Sequence, residues 1–187
     1  MGKDRIVRDV LTTERLILRP YEESDAESLY QYAKDPLVGP VAGWAPHESV
    51  ESSLEIIRDL FFPSGAWAIV LKETGEHIGT IALEEDRRRP DIPSKEIGYS
   101  LASKYWGRGI MTEACKEVVR YAFQELDLYI LAICTSRTNE RSAGVIENCG
   151  FKQEGTERAC YCIYDGSFRD SRIYSLLKSE WLELTGR

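Results

Sequence analysis

The residues best suited to chemistry lie in "YWGRGIMTEA", Tyr105 to Ala114, where Gly107 and Gly109 flank Arg108 just before an amphipathic run. Glycine lets a backbone turn sharply and approach a ligand without Cβ obstruction. A helix start presents N–H groups that lack intrahelical partners and carries partial positive charge. With Arg108 added, the segment suits a phosphate or pyrophosphate. A tight strand-to-helix turn needs the same glycines, so the stretch alone leaves both readings open. It is neither a Walker loop nor a GxGxxG fingerprint.

Other reactive side chains are sparse. The five cysteines, Cys115, Cys134, Cys149, Cys160 and Cys162, are odd in number and scattered through apolar segments. That pattern reads as reduced thiols in the cytosol. Cys160-Tyr-Cys162 would put two sulfurs on one strand face, but only His47 and His77 could add to them. Structural zinc needs four ligands, so no metal site is expected.

These residues need elements to position them. A strand over Leu16 to Arg19 stops at Pro20, and Ser24 with Glu27 reads as a capping box opening a helix. "DPLVGPVAGWAPH" reads as a loop, followed by a helix over about Glu48 to Phe61. "AWAIVLKETGEHIGTIALEE" reads as a hairpin turning at Glu73 to Glu76. Its second strand ends at Glu84 and Glu85, where a solvated strand end is a simpler reading than an acceptor-lining pair. Arg87 to Ser94 reads as a loop and "KEIGYSLA" as a strand.

The pattern then predicts a helix over about Gly109 to Leu126, a strand "YILAIC" and a helix over about Asn139 to Asn148 closed by Gly150. Two last strands are expected at about Thr156 to Tyr164 and Ser171 to Leu177. The fold class that follows is α/β (α+β mixed). A central mixed, largely antiparallel sheet of about seven strands carries helices on both faces. No linker or repeat interrupts residues 1–187, so a single domain is expected.

Bulk composition narrows the function classes. The chain has 187 residues, 43% apolar and 29% charged, with a formal net charge of -7. A general nucleic-acid binder needs a basic surface, so no nucleic acid is expected as partner. An acidic surface suits a cationic substrate. No apolar run reaches the roughly 20 residues needed to span a bilayer, and no membrane partner is expected. "MGKDRI" lacks Ser or Thr at the usual myristoylation position and "MGKDRIVRDVLTTER" lacks a secretory core, so a cytoplasmic location is expected.

Four segments in fixed order carry a resemblance: "TTERLILRPYEESDAESLY", "HIGTIAL", "EIGYSLASKYWGRGIMTEA" and "TNERSAGVIENCGF". Together, across about Thr12 to Leu177, the chain resembles the GNAT acetyltransferase superfamily, most closely its RimJ/RimL-type branch. The resemblance implies that Gly107, Arg108, Gly109, Ile110, Met111 and Thr112 form the pyrophosphate loop for acetyl-coenzyme A. It implies that Leu101 and Ser103 pair with the pantetheine arm, and that their strand splays from the next to open a wedge for the thioester. Asn139 matches a pantetheine-binding Asn, with a helix N-cap as its bland role. Ser142 falls near the sulfur. Trp106 and Met111 depart from the commoner loop pattern, and Ile146 replaces a tyrosine that protonates the departing thiolate in many members.

Acetyl transfer to an amine needs a neutral nucleophile, yet an amine of pKa about 10.4 is almost wholly protonated at pH 7. A base is therefore expected. Glu96 matches a strand position where some members carry a catalytic Glu, and backbone N–H groups around Tyr99 to Leu101 would serve the oxyanion. Trp44, His47 and Tyr174 fall near the acceptor site in this branch, with loop, cap and packing roles as the alternatives. Trp67 reads as core. The implied activity is direct transfer from acetyl-coenzyme A to a protein N-terminal amine, as of a ribosomal protein, or to a small amine. A non-catalytic acetyl-coenzyme A sensor and a transferase of another acyl group are the alternatives. A homodimer is left open.

Overall fold

The computed structural model describes residues 8–186, so the N-terminal reading of "MGKDRI" lies outside the described residues. Two compact units divide the chain. One gathers the chain up to Leu83 with Tyr99–Ile110, the other Glu84–Gly98 with the chain from Met111 onward. One strand contributes to both.

In the first unit, β1 (Leu11–Thr12), β2 (Leu16–Pro20), β3 (Trp67–Leu71) and β4 (His77–Glu84) form an antiparallel meander. The last residues of β5 (Ser94–Leu101) follow β4, and the Ala102 N–H donates to the Ile78 carbonyl at 2.9 Å. A register shift opposite Ile69 and Val70 marks a bulge at the start of β4. Helices α1 (Ala26–Ala33), α2 (Gly39–Ala42), α3 (Val50–Ile56) and α4 (Phe62–Ser64) complete the unit, with one π turn at Ile57–Phe61 joining the last two. Tyr21, Leu29, Tyr32, Ile57 and Ala68 belong to its buried core, against which Trp44, Tyr105 and Trp106 pack. Trp67 is wholly buried, as its core reading anticipates, and its indole donates to the Asp9 carbonyl.

In the second unit the order is β5, β6 (Ile130–Ser136), β8 (Phe168–Leu177) and β7 (Lys152–Cys162). β5 and β6 run parallel, whereas β6–β8 and β7–β8 are antiparallel. Registered pairing of β5 with β6 covers only Ser94–Glu96 against Ile130–Ala132. Helices α5 (Ile110–Gln124), α6 (Glu140–Asn148) and α7 (Lys178–Thr185) belong here, apart from Ile110. The apolar stripe of α5, Ala114, Cys115, Val118 and Ala122, is fully buried.

Among the described residues eight strands stand where about seven are expected, because the two-residue β1 is too short to carry a period. The expected loop over residues 35–47 contains α2, and α7 is an addition. The capping of the first helix is corrected. The Glu22 N–H donates to Asp25 Oδ2 at 2.8 Å, while Ser24 Oγ reaches only Glu22 Oε2 at 3.4 Å. Asp25 is also held by Arg19 at 2.6 Å. A charged carboxylate accepts hydrogen bonds more strongly than a hydroxyl, so the acidic residues around Ser24 take over the turn.

Candidate active site

The glycine segment folds as a turn into a helix. Gly107 has φ 74° and Gly109 φ 72°, both in the left-handed region that glycine enters without strain. A Cβ built on Gly107 would meet no heavy atom within 4 Å, so the space beside that peptide is open. Arg108 is exposed, and its guanidinium lies 5.4 Å from the Tyr105 ring. Arg15 Nη1 donates to the Arg108 carbonyl at 3.0 Å, bringing a second cation to the loop. The sequence reading missed Arg15 because it lies 93 positions away. Ile110 and Met111 are buried, so their side chains anchor the helix start and only their backbone can serve a ligand.

Leu101 and Ser103 precede the turn. The Leu101 carbonyl accepts the Trp106 indole N–H at 2.8 Å, and Ser103 Oγ donates to Asp35. Trp106 thus ties the strand end to the loop. Trp44 and His47 sit elsewhere in the same unit, with ring centroids 5.2 Å apart. Trp44 packs against Gly39, where an added Cβ would stand 2.6 Å from the indole. His47 Nδ1 bonds Ser53 Oγ at 2.8 Å, and burial lowers its pKa. Both side chains are therefore committed to packing and loop shape.

In the second unit, Asn139 is the N-cap of α6, its Oδ1 accepting the Ser142 N–H at 3.1 Å. The cap uses Oδ1, so Nδ2 is the atom through which Asn139 could donate to a ligand. Ser142 is half-buried one turn on, and Ile146 is completely buried. Tyr174, on β8 opposite Ile133, is 1% exposed, and among the described residues its hydroxyl has no hydrogen-bond partner. The nearby Arg172 guanidinium is instead bonded to Glu140 and the Arg137 carbonyl. A hydroxyl without a hydrogen bond at that depth costs about 1–3 kcal/mol, and the Arg172 guanidinium interacts with it electrostatically.

Glu96 lies on β5 beside Ala132 and is bound by Arg88 at 3.0 Å. Arg88 also grips Glu157 at 3.1 Å. Cys134 shares this neighbourhood, where burial foremost and the Glu96 charge after it push its thiol up to about 12. A thiol so raised is protonated at neutral pH and is no acyl-carrying nucleophile. Glu84, at the exposed end of β4, is crowded by β5: a Cβ on Gly98 would lie 3.4 Å from its Oε1. Partial desolvation and then the Glu96 charge raise the Glu84 carboxyl, which Arg87 partly offsets.

The buried polar centre of the first unit escaped sequence reading. His77 Nε2 donates to the Gly79 carbonyl at 2.9 Å and lies 3.0 Å from the Tyr21 hydroxyl. His77 Nδ1 bonds Ser28 Oγ at 2.8 Å. Thr80 Oγ1 joins the Tyr21 and Tyr32 hydroxyls at 2.5 and 2.6 Å. Burial lowers the His77 pKa to about 4, leaving a neutral ring.

Comparison with known proteins gives these features a context. The acetyltransferase (GNAT) domain model matches residues 15–152. The chain is 33% identical over 181 residues to "Uncharacterized N-acetyltransferase p20" of Bacillus licheniformis, covering 92% of this chain and 98% of that protein. It is 25% identical over 185 residues to the "[Ribosomal protein uS5]-alanine N-acetyltransferase" of Escherichia coli K12, covering 91% and 92%. In fold it resembles the crystal structure of a GNAT-family acetyltransferase from Bacillus anthracis, with TM-score 0.79, 21% identity and 91% and 99% of the two chains covered.

Proposed function

We propose, from the premise that this chain belongs to the GNAT acetyltransferase family, that it is one catalytic domain acetylating a protein N-terminal amine in the cytoplasm. It is an acetyl-CoA-dependent acyltransferase. The observation that carries the cofactor reading is the pair of left-handed glycines at the mouth of α5. The Gly107–Thr112 backbone would take the pyrophosphate, with Arg108 beside it and Arg15 holding the loop from behind. Leu101, Ser103 and Asn139 would bind the pantetheine arm through backbone and amide groups. The open flank of Gly107 supports close approach of a ligand to that backbone.

Transfer proceeds by direct attack. The carboxylates around Glu96 take the ammonium proton, the amine nitrogen forms a bond to the thioester carbon, and the carbon–sulfur bond breaks. Ser142 delivers a proton toward the thiolate, because Ile146 offers none, and the second proton shed by the acetylated nitrogen replaces it. The name of the Escherichia coli relative, an alanine N-acetyltransferase of a ribosomal protein, supports an α-amine acceptor. Trp44, His47 and Tyr174 are proposed to shape the acceptor side, the first two through loop packing.

A screen of N-terminal peptides, polyamines, amino acids and aminoglycosides, read by thiol release and product mass, tests this. Acetylated N-terminal peptide is expected. Saturable acetyl-coenzyme A binding without product from any amine would replace the enzyme with a sensor, the reading that Ile146 favours. Product from small amines alone would move the acceptor class. An acyl group other than acetyl would appear in the same mass.

A further inference from the structure

We propose that Glu84, not Glu96, is the carboxylate that accepts the proton from the amine, with Glu96 and Arg88 acting as its electrostatic neighbours. The inference rests on the acetyltransferase reading above and names the group that performs one of its steps.

Three observations separate the two acids. Glu96 is 18% exposed in its side chain and spends Oε2 on Arg88 at 3.0 Å, a guanidinium that Glu157 holds at 3.1 Å. A carboxylate oxygen occupied by a guanidinium must give up a charge-assisted bond before it can face an amine. Glu84 makes no hydrogen bond or ion pair among the described residues, although Arg87, Arg88 and Arg89 follow closely in sequence. Its neighbours Glu85 and Asp86 are paired with Lys95 and Arg89. Finally, Gly98 leaves the face of β5 next to the Glu84 carboxylate bare, with Oε1, Cδ and Oε2 at 3.4, 3.6 and 3.9 Å from a built Cβ. A solvent-accessible, unpaired carboxylate against bare backbone can meet an amine directly or through one water.

The charged groups facing Glu84 explain its proton affinity. Glu96 from β5 raises it, Arg87 from the following loop lowers it, and desolvation is the largest influence. Beside Glu96, Cys134 of β6 is protonated and adds no charge at neutral pH. In the step itself, the ammonium gives its proton to the Glu84 carboxylate, the freed lone pair bonds the thioester carbon, the sulfur leaves with the bonding pair, and the second proton shed by the acetylated nitrogen passes to the thiolate. The acid formed at Glu84 returns its proton to solvent.

The test compares Glu84→Gln with Glu96→Gln in kcat/KM against pH, with 13C titration of the Glu84 carboxyl. The limb contributed by the acceptor amine itself is common to all variants. Glu84→Gln is expected to lose the remaining acid limb and about a hundredfold in kcat/KM. Glu96→Gln is expected to retain that limb but move it to lower pH, since a neighbouring negative charge has gone. Loss of the limb in Glu96→Gln with its retention in Glu84→Gln overturns the proposal. So does a Glu84 carboxyl titrating within the ordinary range near 4.3. If no amine is acetylated, the acetyltransferase reading fails separately, and the titration still decides whether Glu84 has the required affinity.

Discussion

The polar centre around His77 and the charged cluster around Arg88 use similar side chains to opposite ends. At His77 the bonds close on themselves: Ser28, Tyr21, Gly79, Thr80 and Tyr32 supply partners, and burial excludes water. Such a network fixes β4 and α1 and has no vacancy for a substrate. Around Arg88 the bonds are charged, partly exposed and incomplete, with Glu84 left out. An uncharged closed network spends its donors on the fold, whereas an open charged one keeps an acid in hand. Burial of a titratable group alone therefore identifies neither; the unused partner does.

Breaking the closed centre should have the largest effect. Thr80→Val strips one contact each from the buried Tyr21 and Tyr32 hydroxyls, and a loss of about 2–3 kcal/mol is expected from two weakened buried groups. Urea unfolding should show a lower midpoint with unchanged slope. Arg88→Met, aimed at the open cluster, should cost under about 1 kcal/mol in the same assay, as exposed ion pairs contribute little. Equal losses would erase the contrast.

The pH dependence of stability sharpens it further. An unfolded histidine takes a proton near 6.5, whereas folded His77 resists until about 4. The unfolded chain therefore binds more protons between those values, and stability falls as pH drops through that window, by up to about 3 kcal/mol. His47, also lowered, acts in the same direction. Chemical denaturation from pH 7 to pH 4 should show a shallower decline in His77→Gln, with the His47 part remaining.

Tyr174→Phe should have the smallest effect and the opposite sign. Removing a hydroxyl without a partner is expected to raise the stability of the free protein by up to about 1 kcal/mol. Added acetyl-coenzyme A should shrink that gain if the ligand bonds the hydroxyl. A destabilised Tyr174→Phe in thermal melts of the free protein would show that the hydroxyl is satisfied.

Much of the scaffold was legible because it depends on local pattern. The α5 stripe, the hairpin turn and the two glycines are encoded within a few neighbouring residues, and the helix begins one residue from its expected start. Asn139 as a cap was equally local. What escaped depends on long-range meeting. Thr80 joins Tyr21 and Tyr32 across 59 and 48 positions, and Arg15 reaches Arg108 across 93. Glu84 read as a solvated strand end in preference to an acceptor-lining residue, since its interest lies in lacking a partner that sequence neighbours suggest. β7 begins at Lys152, ahead of its expected start, because β8 supplies the pairing that its polar sequence lacks.

The bare flank of Gly107 also bears on how the chain can drift in evolution. An asparagine there would tolerate the left-handed backbone at little cost and would meet no neighbour in the free protein. At Gly109 the same change brings a Cβ to 3.7 Å from the Arg15 guanidinium. Folding alone thus leaves position 107 open to asparagine, while its left-handed backbone still disfavours other side chains. If glycine is retained there among relatives, the constraint must come from what the loop holds.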